Sequence, residues 1–351
     1  MIRLEARSAT PAWFNVALPL AAVAVTLIFC SSLILLAGAS VFSSYRIMAV
    51  AAFGNVYAIT ETLVRAAPMI FTGLAVAVAF RAKFWNIGAE GQLLVGAAAS
   101  CAIGAVEIPG PIAILAMAIA GAIAGGLAAL VPALLRVKLK VDDVVSSLLL
   151  NSVIFFALTA LIEGPWKDSL SGYPISPPIL DTAIFPVFIA GTRLHLGVIV
   201  ALLMSPIIWF VISRSVLGFS ITVTGENPEA ARYAGINTEQ VLISTALLSG
   251  ALAGLAGVCE VGGVHYQVMA EISPGYGYSG IVIAMLARLN PLGVVPAAIF
   301  LSAVMTGADA MSRATGVPAF LSDVIQGTAL LSMLAALLFM NYRLRFQGRA
   351  A

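Results

Sequence analysis

The sequence runs to 351 residues, of which 61% are hydrophobic and only 10% charged, with a mean hydropathy of +1.05. Soluble domains carry about 25% charged residues, and no soluble fold of this length could hide so much apolar surface. A net charge of +2, with no basic cluster interleaved with aromatics, argues against nucleic acid as a partner.

Apolar runs of about 20 residues, each enough to cross a hydrocarbon core of roughly 30 Å, recur along the whole chain. In lipid only helices or a closed barrel satisfy every backbone group, and uninterrupted runs exclude the alternation of barrel strands. The expected fold class is therefore all-α, a polytopic transmembrane helical bundle forming one domain over 1–351 in contact with the lipid bilayer. Ten spans are predicted. The first, 14–37, follows Arg3 and Arg7 and is longer than the roughly 7–15 apolar residues of a signal-peptide core, so it reads as a retained span. Segments 60–80, 85–106, 111–135 and 143–163 follow. Residues 164–194 contain five prolines and no run long enough to cross, and read as an external loop. After 195–213 comes a polar interruption at 214–240, then segments 240–262, 275–288, 291–310 and 319–341. The third and eighth segments bear glycines and could be broken or partly re-entrant, which lipid tolerates only where other protein covers the backbone.

With both termini on the cytoplasmic side, external ends hold only Arg46, Arg65, Lys167, Arg193 and Arg313 of the 18 Lys and Arg residues. That asymmetry is the positive-inside pattern and implies an even number of crossings. Spans two to five then begin outside and spans seven to ten inside, as inverted repeats would. Cys30, Cys101 and Cys259 each lie within an apolar run and read as packing residues, with no disulfide or metal framework. Two histidines cannot furnish a histidine metal cluster.

Inside the polar interruption stands GENPEAARYAGI, residues 225–236. Asn227 suits an N-cap, Pro228 the first turn, Glu229 the positive end of the helix dipole, and Gly235 the position just past the end. The pattern predicts a helix of about seven residues, too short to be stable without something to pack against. It is either a capped surface turn or a stiff knob offered to a partner.

Several polar side chains fall within predicted spans. Glu90, between Gly88 and Gly91, would cost about 2.5–3.5 kcal/mol at a span centre, so it needs a partner, water or the interface. Arg81 and Lys83 are nearby countercharges, and Asn86 is a possible cap for the third span. Glu90 either pins helices together or takes part in gating and passage. Asn151 either bonds a neighbouring helix or lines a pathway. Phe155 and Phe156 either pack against apolar neighbours or stack on a planar solute. On the outer side Glu260, His265, Tyr266 and Gln267 follow span seven, and Asp309 and Asp323 border the last external turn, as a solvated rim, a gate or a docking surface.

The 225–236 stretch resembles the cytoplasmic coupling loop of permease subunits of ATP-binding cassette importers, in the branch handling ribose and other simple sugars, nucleosides and branched-chain amino acids. Three more stretches agree in order and spacing. NIGAEGQLLVGA (86–97) resembles the most distinctive motif of that branch, which makes Asn86, Glu90 and Gln92 candidates for a pathway or gate beside Asn151 and Phe155. GYGYSGIVIAMLARLNPLGV (275–294) looks like the nucleoside and simple-sugar subgroup. VDDVVSSLLLN (141–151) is similar to a fifth-span motif in which glutamate is more usual where Asp143 stands, so the acid is kept but shortened by one methylene. The resemblance covers about residues 60–340. It implies two permease subunits, identical or paralogous, in the cell inner (plasma) membrane, two ATP-binding cassette ATPase subunits, and an extracytoplasmic substrate-binding protein. It also implies that Glu226, Asn227, Pro228, Glu229, Ala230, Ala231, Arg232 and Gly235 form a coupling helix seated in a groove of the ATPase.

GQLLVGA lacks the lysine of a phosphate-binding loop, so ATP hydrolysis is expected from another chain and no cofactor from this one. The expected function is the translocation pathway for a nucleoside or simple sugar, working by alternating access. A branched-chain amino acid permease is the nearest alternative. An ion-coupled secondary transporter is the alternative of another class, and it would favour paired midplane acids over the sparse set here.

Overall fold

The computed structural model describes residues 2–6, 14–169, 172–316 and 342–346, with a few isolated positions between 324 and 336. The tenth predicted segment, 319–341, lies outside the described residues apart from those positions, and so does Asp323. The chain falls into two compact units, Met1–Ile59 with Ala303–Ala351, and Thr60–Ser302.

In the first unit, β1 (Ile2–Ala6) pairs antiparallel with β2 (Tyr342–Phe346), Ile2 opposite Phe346 and Ala6 opposite Tyr342. This ribbon was not anticipated, and it brings the two ends of the chain together. Helix α1 (Phe14–Leu36) is followed by α2 (Val41–Phe53), and their apolar parts are bent by 119°. The bend has a local cause: Gly38 sits at φ 80, and the N–H groups of Gly38 and Ala39 donate to Leu35 O and Ile34 O, the pair of hydrogen bonds that closes a helix end. Cys30 and Ile34 pack on Ala308 and Met311, with Tyr45 and Met48 beside them. Sequence reasoning found no element at 41–53, because Ser43, Ser44 and Arg46 interrupt its apolar run.

The second unit contains the second to eighth predicted segments and most of the ninth. In chain order it holds α3 (Val56–Arg81, from Thr60 onward), α4 (Ala89–Gly104), α5 (Gly110–Leu139), α6 (Asp143–Glu163), α7 (Leu196–Arg214), α8 (Val216–Glu226), α9 (Pro228–Tyr233), α10 (Thr238–Glu260), α11 (Tyr276–Leu286) and α12 (Pro291–Thr315, to Ser302). Among the described residues six helices are long and apolar enough to cross a membrane: α3, α5, α6, α7, α12, and α10 with its π-helical extension Val261–His265. The bent α1–α2 pair makes a seventh if it counts as one span. The third and eighth predicted segments are shorter than a span, since α4 has 16 residues and α11 has 11, roughly 24 and 16 Å at 1.5 Å per residue.

Helices α4, α5 and α10 pack backbone to backbone. A Cβ on Gly96 would lie 2.5 Å from the Cα of Gly254, and one on Gly125 would lie 2.8 Å from it, while Gly257 faces the backbone of Leu93 and Ala97. Such contact suits lipid, where helices gain no hydrophobic drive from each other and close van der Waals approach takes over. Gly121 and Gly125, and Gly250 and Gly254, are small residues four apart, a spacing visible in the sequence but not read there.

Residues 164–194 form no helix beyond the 3-10 turn Asp181–Ala183, residues 170 and 171 being outside the described set. The segment lies over the ends of α4 and α10: Leu180 N–H donates to Gly104 O at 2.9 Å and Phe185 N–H to Gly262 O at 2.8 Å. Lys83, Arg136, Lys140 and Arg232, all assigned to one side of the membrane by charge, line one cleft at the opposite end of this unit.

Candidate functional site

The site is built on the starts of α4 and α11. After α3 the chain turns through Lys83, which holds a left-handed φ of 53. Arg136 donates to Lys83 O at 2.7 Å and pairs with Asp143, whose Oδ2 also accepts Trp85 N–H at 2.6 Å. The shortened acid therefore fastens the α3–α4 connection to the ends of α5 and α6. Next come Asn86 and Gln92, both fully buried, whose side-chain amides bond each other twice, at 3.0 and 2.9 Å. Asn86 also donates to Ser249 Oγ at 3.0 Å, and Ser249 donates to Ala75 O at 2.8 Å, which ties this turn to α10 and α3. Asn86 Oδ1 accepts Gly88 N–H, but the first turn of α4 is capped from another helix: Gly91 N–H donates to Asn151 Oδ1 at 2.9 Å. The other end of that amide donates to Ile87 O at 2.9 Å and reaches Tyr278 Oη at 3.3 Å.

Glu90 does not pair with Arg81 or Lys83. Its Oε2 accepts Gly277 N–H at 2.6 Å, at the start of α11, where Ser273 Oγ accepts the N–H groups of Gly275 and Tyr276. A carboxylate on the positive end of a helix, receiving its free N–H groups, is stabilised without a cation. The fit is tight: a Cβ on Gly277 would lie 2.5 Å from Glu90 Cα. The short helices α4 and α11 thus meet N-terminus to N-terminus. Gly275, at φ 91, makes the entry to α11 that an ordinary side chain would resist.

Beside this junction opens a cavity of about 340 Å³. It is lined by Glu90, Asn151, Ser152, Phe155, Phe156, Ser273 and Tyr278, with Leu94, Ala270 and Gly275. Phe155 and Phe156 meet edge to face at 5.6 Å between centroids. Of the sequence-selected candidates, the structure brings Glu90, Asn151 and Phe155 to this cavity and leaves Asn86 and Gln92 behind it. Tyr278, Ser152 and Ser273 were not selected. Tyr278 stands in a stretch singled out for its resemblance, but only the fold shows that its ring reaches α6.

At the far end of the same unit Glu260, buried, lies 3.1 Å from His265 Nδ1, and Arg193 Nε makes two bonds to Glu61 at 3.0 and 3.1 Å. Asp309 belongs to the first unit.

The expected knob is the six-residue α9. Asn227 Oδ1 accepts the N–H groups of Glu229 and Ala230, both at 3.0 Å. At the other end Gly235, at φ 81, donates to Arg232 O and Ile236 to Ala231 O, at 2.9 and 3.0 Å. Ala231 is buried against the unit, whereas Glu226, Pro228, Glu229, Ala230 and Arg232 are exposed, and Tyr233 is 95% exposed. Arg232 Nε donates to Thr238 Oγ1 at 3.1 Å and holds α9 against the start of α10.

Residues 58–334 match the family described as branched-chain amino acid transport system / permease component. The chain is similar, at 33% identity over 97% of its length and 93% of the other's, to the glucose ABC transporter permease protein TsgB13 of Haloferax volcanii. It is equally similar, at 33% over 93% of its length and 94% of the other's, to the guanosine ABC transporter permease protein NupP of Bacillus subtilis. With the nucleoside ABC transporter permease protein NupB of Lactococcus lactis it shares 30% identity over 89% of its length and 88% of the other's.

Proposed function

Since the chain belongs to the family of branched-chain amino acid transport system permease components, we propose that it is the permease subunit of an importer driven by a separate ATP-binding cassette ATPase, and that it carries a nucleoside or a simple sugar. The observation that carries the substrate class is the cavity at the α4–α11 junction. Its lining has one acid, Glu90, and no base, with three aromatic rings and the polar groups of Asn151, Ser152 and Ser273. A volume of about 340 Å³ lies at the small end of ligand pockets, which run roughly 300–1,000 Å³. Rings and neutral hydrogen-bonding groups suit a neutral hydroxylated solute with a planar or apolar face. A branched-chain amino acid would bring a carboxylate, yet the helix start that could receive it is already occupied by Glu90. The names of the sugar and nucleoside relatives agree with this choice.

Both termini lie on the cytoplasmic side in this reading, favoured by the charge asymmetry and by the β1–β2 pairing that joins the chain ends. The inverted-repeat reading gains from a parallel in element lengths: each half has a short second helix after an irregular turn, and the two short helices face each other by their N-termini. The α9 knob, exposed and capped at both ends, seats in the ATPase, and an extracytoplasmic binding protein delivers the solute at the opposite end.

The test is uptake into proteoliposomes by the chain assembled with its partner permease, ATPase and binding protein, using labelled guanosine, glucose and leucine. ATP-dependent uptake of guanosine or glucose but not leucine is expected. Uptake of leucine alone would move the substrate to the amino acid class, and uptake by this chain alone under an ion gradient would replace the importer reading.

A further inference from the structure

Helix α11 is fastened at its start by an anion and, in the turn that follows its end, by a cation, and the second leads back to the knob. At its start stands Glu90, as above. At its end Arg81, the last residue of α3, donates from Nη2 to Leu289 O at 3.1 Å. Cations belong at the negative end of a helix, and anions at the positive end. The carbonyl that Arg81 takes lies in an unusual turn: Arg288 and Leu289 both hold left-handed backbone angles, φ 53 and 57, without being glycine. Such residues carry backbone strain and persist only where their surroundings enforce it. Between these ends α11 lies along the last half of α3. Thr72 Oγ1 donates to Tyr276 O at 2.9 Å, and a Cβ on Gly280 would come within 2.8 Å of Thr72.

The same Arg81 bears the end of α8. Gly225 presses on its carbonyl so closely that a Cβ would fall inside the van der Waals shell of that oxygen, and would also lie 3.2 Å from Ala82 Cα. Two residues later Asn227 opens α9. One residue thus touches the segment carrying the knob through its main chain, and the strained end of α11 through its side chain. The other end of α11 forms the cavity wall at Gly275 and Tyr278.

We propose that Arg81 is a positioning residue for transport, the joint that passes displacement of α8 and α9 to α11 and so to the cavity. Packed elements with two discrete arrangements transmit small shifts in this way, and the strained 288–289 turn is the part able to rearrange. The proposal rests on the importer reading and is tested so that the two fail separately. The complete transporter is reconstituted with wild type, Arg81→Gln, Arg81→Lys and Gly225→Ala, and ATP hydrolysis and uptake of labelled guanosine and glucose are measured together. Arg81→Gln is expected to lower solute moved per ATP at least tenfold, with complex yield and basal hydrolysis within about twofold of wild type. Arg81→Lys, which keeps a cationic donor, restores most of that ratio, and Gly225→Ala lowers it in the same direction. If Gly225→Ala fails to assemble, the Gln and Lys variants decide alone. A merely structural Arg81 would change yield and leave the ratio intact, and Arg81→Gln transporting with the wild-type ratio overturns the proposal while leaving the importer reading standing. A wild-type complex without ATP-driven uptake overturns the importer reading, and this one with it.

Discussion

Asn151 shows how one side chain serves both scaffold and site. Its oxygen caps α4 through Gly91 N–H, its nitrogen takes Ile87 O, and its remaining reach is toward Tyr278 across the cavity. In Asn151→Leu the buried Gly91 N–H and the Ile87 carbonyl lose their partners at a cost on the order of 1–3 kcal/mol each. The variant is expected to melt several degrees lower than wild type in detergent, and an unchanged melting temperature would show that other groups satisfy the start of α4. That Asn151 bonds another helix was legible from an amide deep in an apolar run. Which groups it bonds was not, since they lie 60 and 64 residues away. Glu90 is the sharper case. The charges near it in sequence, Arg81 and Lys83, suggested themselves as partners, yet its partner is a backbone N–H 187 residues distant. A helix start is a strong carboxylate ligand that carries no residue-type signature.

At the level of elements, the local grammar of α9 was readable because every group in it lies within ten residues. Asn227, Pro228 and Gly235 do there what capping chemistry requires, and the observed helix differs from the expected one by a single residue. Helices α4, α5 and α10 were readable only as apolar runs, for their mutual fit depends on facing glycines. The expected consequence is testable at Gly254, where a Cβ would meet the backbone of Gly121 and Gly125. Gly254→Val should force α5 and α10 apart and sharply reduce the yield of monodisperse protein after membrane extraction. Wild-type yield and melting temperature in that variant would show that the close approach is dispensable. The eighth predicted segment, 275–288, was already short for a crossing, and α11 is shorter still, since Gly275 precedes it and the left-handed Arg288 and Leu289 follow it.

For the whole molecule, the division of labour between a cavity at the α4–α11 junction and a knob at one end of the Thr60–Ser302 unit frames the remaining prediction. Glu229 is exposed in the first turn of α9, where a negative charge suits the dipole and remains free to meet a partner. On the proposed seating of α9 in an ATPase, Glu229→Lys is expected to weaken that docking and cut ATP-driven uptake by an order of magnitude while leaving the melting temperature of the isolated chain nearly unchanged. Full uptake by a reconstituted Glu229→Lys complex would remove Glu229 from the contact.

Composition and apolar run length by themselves determined that this chain is a helical membrane protein, because the cost of bare backbone in lipid leaves few alternatives. Short-range capping chemistry likewise determined α9, and the motifs pointed to the family. The tertiary structure alone decided that two predicted spans are short helices meeting start to start, that Glu90 answers a helix dipole and not a cation, and that Asn151, Phe155 and Tyr278 share a cavity. Those outcomes depend on backbone groups and glycine faces brought together from distant parts of the chain, and such contacts leave little trace in the order of residue types.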